Sequence, residues 1–138
     1  MEQTIRVAAV VLRRPDGDVL TVRKRGTSRF MLPGGKPEPG ESPAETAVRE
    51  AAEEVGIALD LERMELLGRF EAPAANEPDH LLVSTVYTHP LESTPRVAGE
   101  IAELRWQSPT DLRDDLAPML VQNVFPALRI SAERADSR

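Results

Sequence analysis

Glu50, Glu53 and Glu54 stand at positions i, i+3 and i+4 of a segment that reads as a helix. Wound at ~100° per residue, they fall within an arc of about 100°. Carboxylates so placed repel one another by roughly a few tenths of a kcal/mol per pair. Stability gains nothing from that arrangement. It makes sense if a hard cation sits between the acids, since Mg²⁺ and similar ions take carboxylate oxygens. Glu41, at the end of the preceding loop, offers a fourth acid, and Arg49 lies beside the acidic arc. The competing reading is a merely solvated face, because helices with several exposed glutamates are common.

The elements that must position these acids are legible. Ser42 is a good N-cap, Pro43 suits the first helical position, and Glu45 completes a capping box with Ser42. Gly56 is a natural stop for the helix 43–55. Ala44, Ala47, Val48, Ala51, Ala52 and Val55 share an arc of about 140°, opposite the acids. This face is small and smooth, so the helix should sit close to what it packs on. The loop before it, Pro33-Gly34-Gly35-Lys36, allows a ligand to approach the backbone closely. Lys36 is either a phosphate contact or a plain loop charge. Gly-Gly-Lys is not a P-loop here, since it lacks the spacing and the hydroxyl residue after Lys36.

Taken together, the segment reads Gly35, five residues, Glu41, seven residues, then Arg49-Glu50-Ala51-Ala52-Glu53-Glu54-Val55-Gly56-Ile57. This resembles the Nudix box, the signature of the Nudix hydrolase family. Every polar and glycine position of the pattern is matched, and the one soft departure is Ala51, where a larger aliphatic residue is usual. The resemblance implies a hydrolase that cleaves nucleoside diphosphates linked to another moiety, using Mg²⁺ or Mn²⁺. It implies metal ligands at Glu50, Glu53, Glu54 and the carbonyl of Gly34, with Arg49 holding a glutamate in place. The general base is Glu53 or Glu50, or a glutamate from a later loop. For that last role Glu100 is the first candidate and Glu103 the second.

The substrate is less defined. Length and plan resemble MutT-like nucleoside triphosphate pyrophosphatases, and Asn123 is placed to hydrogen-bond a base edge as an asparagine does in that subgroup. Against this, Pro73 lies sixteen residues past the box, which resembles a marker of ADP-ribose hydrolases, and nucleotide sugars belong with that alternative. The tyrosine expected of dinucleoside polyphosphate hydrolases is absent, since residues 74 and 75 are both alanine. A reading from another class is a nucleotide-binding sensor domain without hydrolysis. Such domains often carry a damaged box, whereas this one has all its acids. Homodimers are frequent in the family, although nothing in the chain locates an interface.

At 138 residues the chain is long enough for one domain with a real core, expected over 1–130, with 131–138 a frayed polar tail. No apolar run is long enough to cross a membrane as a helix, and the N-terminus lacks a signal-peptide layout. A cytoplasmic location is the default expectation. Having no cysteine excludes disulfides, thiol catalysis and thiolate metal sites. The net charge of −6 hides an asymmetry: residues 1–36 carry eight Lys/Arg against three acids, a surplus of five, which leaves −11 on the remainder. A net acidic protein is a poor binder of nucleic-acid polymers. A local basic stretch near an acidic helix suits a small polyphosphate, so Arg23 and Arg25 join Lys36 as expected substrate contacts.

Residues 4–14 read as a central strand, because Val7-Ala8-Ala9-Val10-Val11-Leu12 is a continuous apolar run. Residues 18–25 read as its hairpin partner across Pro15-Asp16-Gly17-Asp18. In it Arg23 and Arg25 share a side with Val19 and Thr21, and Lys24 shares the other with Leu20 and Val22. Phe30-Met31-Leu32 is either a core anchor or an apolar wall for a nucleobase. Strands follow at 65–72, 80–89 and 100–107, then a short helix at 109–115 and a last helix from Pro118 to about 129, interrupted by Pro126. His80 and His89 lack partners at ligand spacing and read as strand-end residues. The order implies an α+β domain, an α/β/α sandwich with a mixed sheet, which is also the fold the resemblance implies.

Overall fold

A computed structural model of the chain describes residues 3–75 and 77–136, with side-chain surroundings given as far as residue 130. Strand β1 (Gln3–Val11) lies inside a four-stranded mixed sheet. It runs parallel to β5 (His80–Thr88), from Gln3 against His80 to Val11 against Thr88. Strand β4 (Glu65–Pro73) pairs antiparallel with β5, with a register shift between Leu66 and Gly68. On the other edge β1 takes the two-residue β3 (Gly34–Gly35). Strands β2 (Val19–Lys24) and β6 (Ile101–Gln107) form a separate antiparallel pair. Helix α1 (Pro43–Val55) covers one face of the larger sheet and α2 (Phe125–Asp136) follows the segment covering the other. The architecture is the expected α+β sandwich with a mixed sheet.

The unbroken apolar run of β1 is explained by its two covered faces. Ala8, Val10 and Leu12 face Ala47, Ala51 and Val55 of α1, together with Leu20, Val22 and Ile101 of the smaller sheet. Ala9 and Val11 face the opposite way, into a core with Val86, Met119, Leu120, Val124, Phe125 and Leu128.

Three expectations need correction. The turn after β1 does reverse the chain, with an antiparallel bridge between Arg13 and Val19. Strand β2 then leaves β1 and spends its ladder on β6, so the expected hairpin is confined to its turn. Residues 109–115 form turns instead of a helix. Their backbone is committed elsewhere: Gln107 donates to the Asp111 carbonyl, Phe30 N–H to the Asp115 carbonyl, and Arg129 to the Pro109 carbonyl. The last helix does begin near Pro118, but residues Leu120–Val124 form a π-helical turn before α2. Pro126 has no N–H to give to Gln122 and its ring crowds that carbonyl, so the wider turn absorbs the misfit. Helix α2 continues through Asp136, into the stretch expected as a tail, and the end of that tail lies outside the described residues.

Gly34 and Gly35 are the tightest points of the fold. A Cβ on Gly34 would lie 2.3 Å from the Ala8 carbonyl oxygen and 2.8 Å from Ala9 Cα, both backbone atoms that cannot step aside. A Cβ on Gly35 would meet only the carboxyl end of the Glu50 side chain. Gly34→Ala is therefore expected to lose about 1–3 kcal/mol of stability in urea unfolding, as overpacked cores do. Gly35→Ala is expected to lose less while displacing Glu50 and activity with it. Equal stability losses for the two would contradict this account.

Candidate active site

Helix α1 starts and stops as its residues dictate. Ser42 Oγ accepts from Glu45 N–H and the Glu45 carboxylate accepts from Ser42 N–H, while Gly56 closes the helix in the left-handed conformation. Its burial stripe is rotated from the expected one. Thr46, Ala47, Ala51, Glu54 and Val55 are buried, whereas Ala52 is exposed. The helix rolls towards β3 because two glycines there leave room for carboxylates. Glu54 is thus 4% exposed, and Glu50 lies half-buried against Gly35. Glu53 stays exposed beyond them.

Arg49 ties the site together. Its Nε donates to Glu41 Oε2 at 2.8 Å and its Nη2 to Glu41 Oε1 at 3.0 Å, a two-pronged pair. Nη2 also donates to the Lys36 carbonyl at 3.1 Å, and Nη1 to Glu50 at 3.0 Å and Glu53 at 3.3 Å. Glu41 accepts further bonds from Thr46 Oγ1 and Glu38 N–H. The Arg49 bonds, with these, hold the Glu41 carboxyl down at about 2. Glu41 is accordingly a structural anion, already satisfied, rather than a fourth acid awaiting a cation.

Glu54 is held differently. Gly34 N–H donates to its Oε1 at 2.9 Å, and Lys24 Nζ lies 3.9 Å from its Oε2. Burial nevertheless pushes its carboxyl up to about 7, with the Glu50 and Glu100 charges adding to the rise. Burial likewise raises Glu50, which also shares a proton-sensitive contact with Glu53. One buried and one half-buried acid, backed by a third on the same helix, have the oxygen donors a hard divalent ion requires. Among the described residues no three acids are yet drawn around one point, because Arg49 and the Gly34 amide hold them apart. The donor chemistry fits such an ion at Glu50, Glu53 and Glu54, after Glu53 turns from Arg49.

The rest of the site is a cleft of about 490 Å³ beside Gly34, Gly35, Lys36 and Glu50. Its floor is the sheet face bearing Ile5, Val7, Leu82 and Ser84. One wall comprises Met31 and Leu32 with Ala117, Met119 and Leu120, and the other is Ala74, Ala75 and Glu77. The first wall is locked in place by Phe30, whose N–H and C=O bond Asp115 and Ala117. The Arg105 guanidinium stacks on the Phe30 ring at 3.8 Å and forks onto Asp115 at 2.7 Å. The Phe30-Met31-Leu32 segment thus serves both as anchor and as wall.

Sequence-predicted residues divide accordingly. Gly34, Lys36 and Glu50 line the cleft. Arg23 instead pairs with Glu103 at 3.2 Å and binds the Thr27 carbonyl. Arg25 donates to the Gly99 carbonyl. Neither arginine lines the cleft, whereas Lys24 does. Lys24 shares the strand side of the buried Leu20 and Val22, and that parity was the available signal. Asn123 donates to the Glu71 carbonyl at 2.9 Å and so fastens the π-helical turn to β4, away from the cleft lining. Ser84, a polar residue in an apolar strand, was overlooked. Glu100 follows the segment that closes α1, where Arg96 and Ala98 amides bond the Val55 and Glu54 carbonyls. Its charge is felt at Glu54. His80 and His89 hold strand ends: His89 Nε2 accepts from Asp60 N–H, and His80 contacts Gln3 and the Pro78 carbonyl.

The chain is similar to known proteins across most of its length. A family model described as NUDIX domain matches residues 3–128. A Bacillus subtilis (strain 168) protein provisionally named 8-oxo-dGTP diphosphatase is 30% identical over 102 residues, 74% of this chain and 65% of its own length. A MutT-like protein of Streptomyces ambofaciens is 27% identical over 125 residues, 91% of this chain and 77% of its own. The crystal structure of a MutT NUDIX hydrolase from Burkholderia pseudomallei superposes with a TM-score of 0.69 at 29% identity, covering 83% of this chain and 91% of that one. The chain spans just under two thirds of the Bacillus protein's length.

The raised Glu54 carboxyl carries a stability signature. Between the ordinary value near 4.5 and about 7, the folded protein keeps a proton that the unfolded chain has lost. Stability in a chelating buffer is therefore expected to fall by roughly 1–3 kcal/mol as pH rises through that window. Urea titrations at pH 5 and pH 8 measure it, and Glu54→Gln should flatten the slope. A slope of the opposite sign in the wild type would overturn the assignment.

Proposed function

Since the chain belongs to the NUDIX domain family, we propose that this hydrolase is a nucleoside triphosphate pyrophosphatase of MutT type. It would cleave a (deoxy)nucleoside triphosphate to the monophosphate and pyrophosphate. The observation that carries the reading is the continuity of the site: acids and the Gly34-Gly35 backbone at one end, an apolar cleft of about 490 Å³ at the other. That volume is within the roughly 300–1,000 Å³ typical of small-molecule sites. The similarity to MutT-like proteins supports the same substrate class.

Glu50, Glu53 and Glu54, with the Gly34 carbonyl, would hold Mg²⁺ or Mn²⁺. When bound, such ions neutralise phosphate charge and lower the pKa of an attacking water. The chain's own groups do the rest. Lys24 and Lys36 flank the polyphosphate and screen its charge. Arg49 keeps the Lys36 carbonyl and Glu50 in register, so that the phosphate end of the cleft is fixed before substrate arrives. Glu53, the exposed acid of the three, would take a proton from water, and Glu100 is the alternative base. At the base end, Met31, Met119 and Leu120 close on the nucleobase from one side, and Ser84 stands at the floor. Among the described residues none of the five aromatics lines this cleft, and thioether walls adapt to different shapes. Discrimination between bases is therefore expected to be modest.

ADP-ribose or a nucleotide sugar is the second reading. It is favoured by Pro73, which ends β4 just before the cleft-lining Ala74 and Ala75. A hydrolysis screen with Mg²⁺ and Mn²⁺ decides between them, using canonical and oxidised (deoxy)nucleoside triphosphates, ADP-ribose, nucleotide sugars and dinucleoside polyphosphates. Glu53→Gln is expected to lower kcat by about 10²–10⁴-fold with little change in KM. Turnover of ADP-ribose alone would replace the MutT-type reading. Silence on every substrate with nucleotide binding intact would point to a sensor domain.

A further inference from the structure

A second, smaller cavity of about 260 Å³ lies on the opposite face of the sheet from the cleft. Its floor is Ala8, Val83 and Thr85, and Pro37 and Pro43 border it at the start of α1. Arg6 on β1 and Arg69 on β4 stand on its two sides. They lie diagonally across β5, since Arg6 is in register with Val83 and Arg69 with Thr85.

The chain carries six more acids than bases overall, and several of its arginines are engaged. Arg14, Arg23, Arg49, Arg63, Arg105 and Arg113 form ion pairs. Arg6 and Arg69 form neither an ion pair nor a hydrogen bond with any described residue, yet both border the same cavity. The acids nearby are largely occupied: Glu41 by Arg49 and Thr46, and Glu45 by Ser42 N–H. Glu71, on the same face of β4, pairs with neither arginine among the described residues.

Two further groups lack a partner, one lining the cavity and one following Pro43 at its border. Thr85 is 8% exposed, and its hydroxyl makes no hydrogen bond to a described residue although it lines the floor. In the first turn of α1, Pro43 has no N–H and Ser42 caps Glu45, which leaves the Ala44 amide unmatched. An accessible, unpartnered hydroxyl on the cavity floor, an orphan amide at a positive helix end and two exposed, unpaired arginines are complementary to one kind of ligand.

We propose that this cavity is an anion site that takes a phosphate group, free or as a phosphomonoester. Arg6 and Arg69 would grip it from either side, with Thr85 on the floor and the start of α1 at the border. The site does not depend on the acids of the catalytic helix or on a metal. It is nevertheless joined to the cleft, because Lys36 lines one and its neighbour Pro37 the other, and Ser84 and Thr85 point from one strand to opposite faces.

The test is a ¹H–¹⁵N titration of the whole chain in chelating buffer without nucleotide. Inorganic phosphate and methyl phosphate are added separately, against sodium chloride at matched ionic strength. Saturable shifts are expected at the amides of Ala44 and Thr85 and at the Arg6 and Arg69 Nε–H signals. The tighter of the two ligands identifies free phosphate or ester as the form preferred. Arg6→Gln with Arg69→Gln should weaken binding at least tenfold. Thr85→Val, which keeps the strand shape, should weaken it several-fold, with cleft resonances unmoved in either variant. Shifts that do not saturate would overturn the proposal. So would shifts confined to Gly35, Lys36 and Glu50, or affinity unchanged in the double variant.

Discussion

The two-pronged bond from Arg49 to Glu41 is the constraint on which the site depends. It joins a loop with little regular structure to the middle of a helix, and it is made by a residue whose other nitrogens reach the Lys36 carbonyl, Glu50 and Glu53. Without it the path of residues 36–41, which have no ladder of their own, would rest on the Thr46 hydroxyl and bonds within the loop. Lysine could not replace it, because one ammonium cannot present a planar fork to a carboxylate and still reach a carbonyl and two further acids. The very low proton affinity of the Glu41 carboxyl belongs to the same arrangement. Glu41 stays charged at any ordinary pH, so the knot stays tied.

Around that knot the fold accepts a local cost. Glu54 is buried with only one amide and one distant ammonium for company, and burial raises its proton affinity. An apolar residue there would pack against β3 more favourably. Such a conflict between burial and charge is expected where a structure has a job to do. The glycines of β3 make the conflict possible, since any side chain at Gly34 would strike β1 and one at Gly35 would occupy the space of the Glu50 carboxylate.

Much of this was legible from residue types alone. Helix 43–55, with its capping box and left-handed stop, lies where the sequence placed it, and the acids stand on it in the expected spacing. The burial stripe was misjudged because helical periodicity reports hydrophobicity, and Glu54 is buried for another reason: room left by glycines on a different strand. The basic stretch was assigned as a whole, but alternation on β2 sends Lys24 towards the cleft and Arg23 towards Glu103. Asn123 looked like a base-reading amide, and its donor is already committed to the Glu71 carbonyl. The missing helix at 109–115 has the same origin. Ser108-Pro109 is a sound start signal, yet bonds from Phe30, Gln107 and Arg129 hold that backbone in turns. In each miss a local preference was overridden by a partner far away in sequence.

That division follows how the chain is built. The three helix acids, Arg49 and the Gly34-Gly35 backbone come from one continuous segment, 34–54, whose residues are readable in order. The cleft beside them is assembled from β1, the end of β4, β5 and the entry to the last helix. Its wall at Ala117–Leu120 is placed by Phe30, which itself depends on an Arg105–Asp115 fork. Changes at Met119 or Ser84 can thus alter the walls without disturbing the acids, while a change at Arg49 disturbs the acids without touching the walls. A fold arranged this way can keep one hydrolytic mechanism and vary its substrate through side chains that have no part in that mechanism.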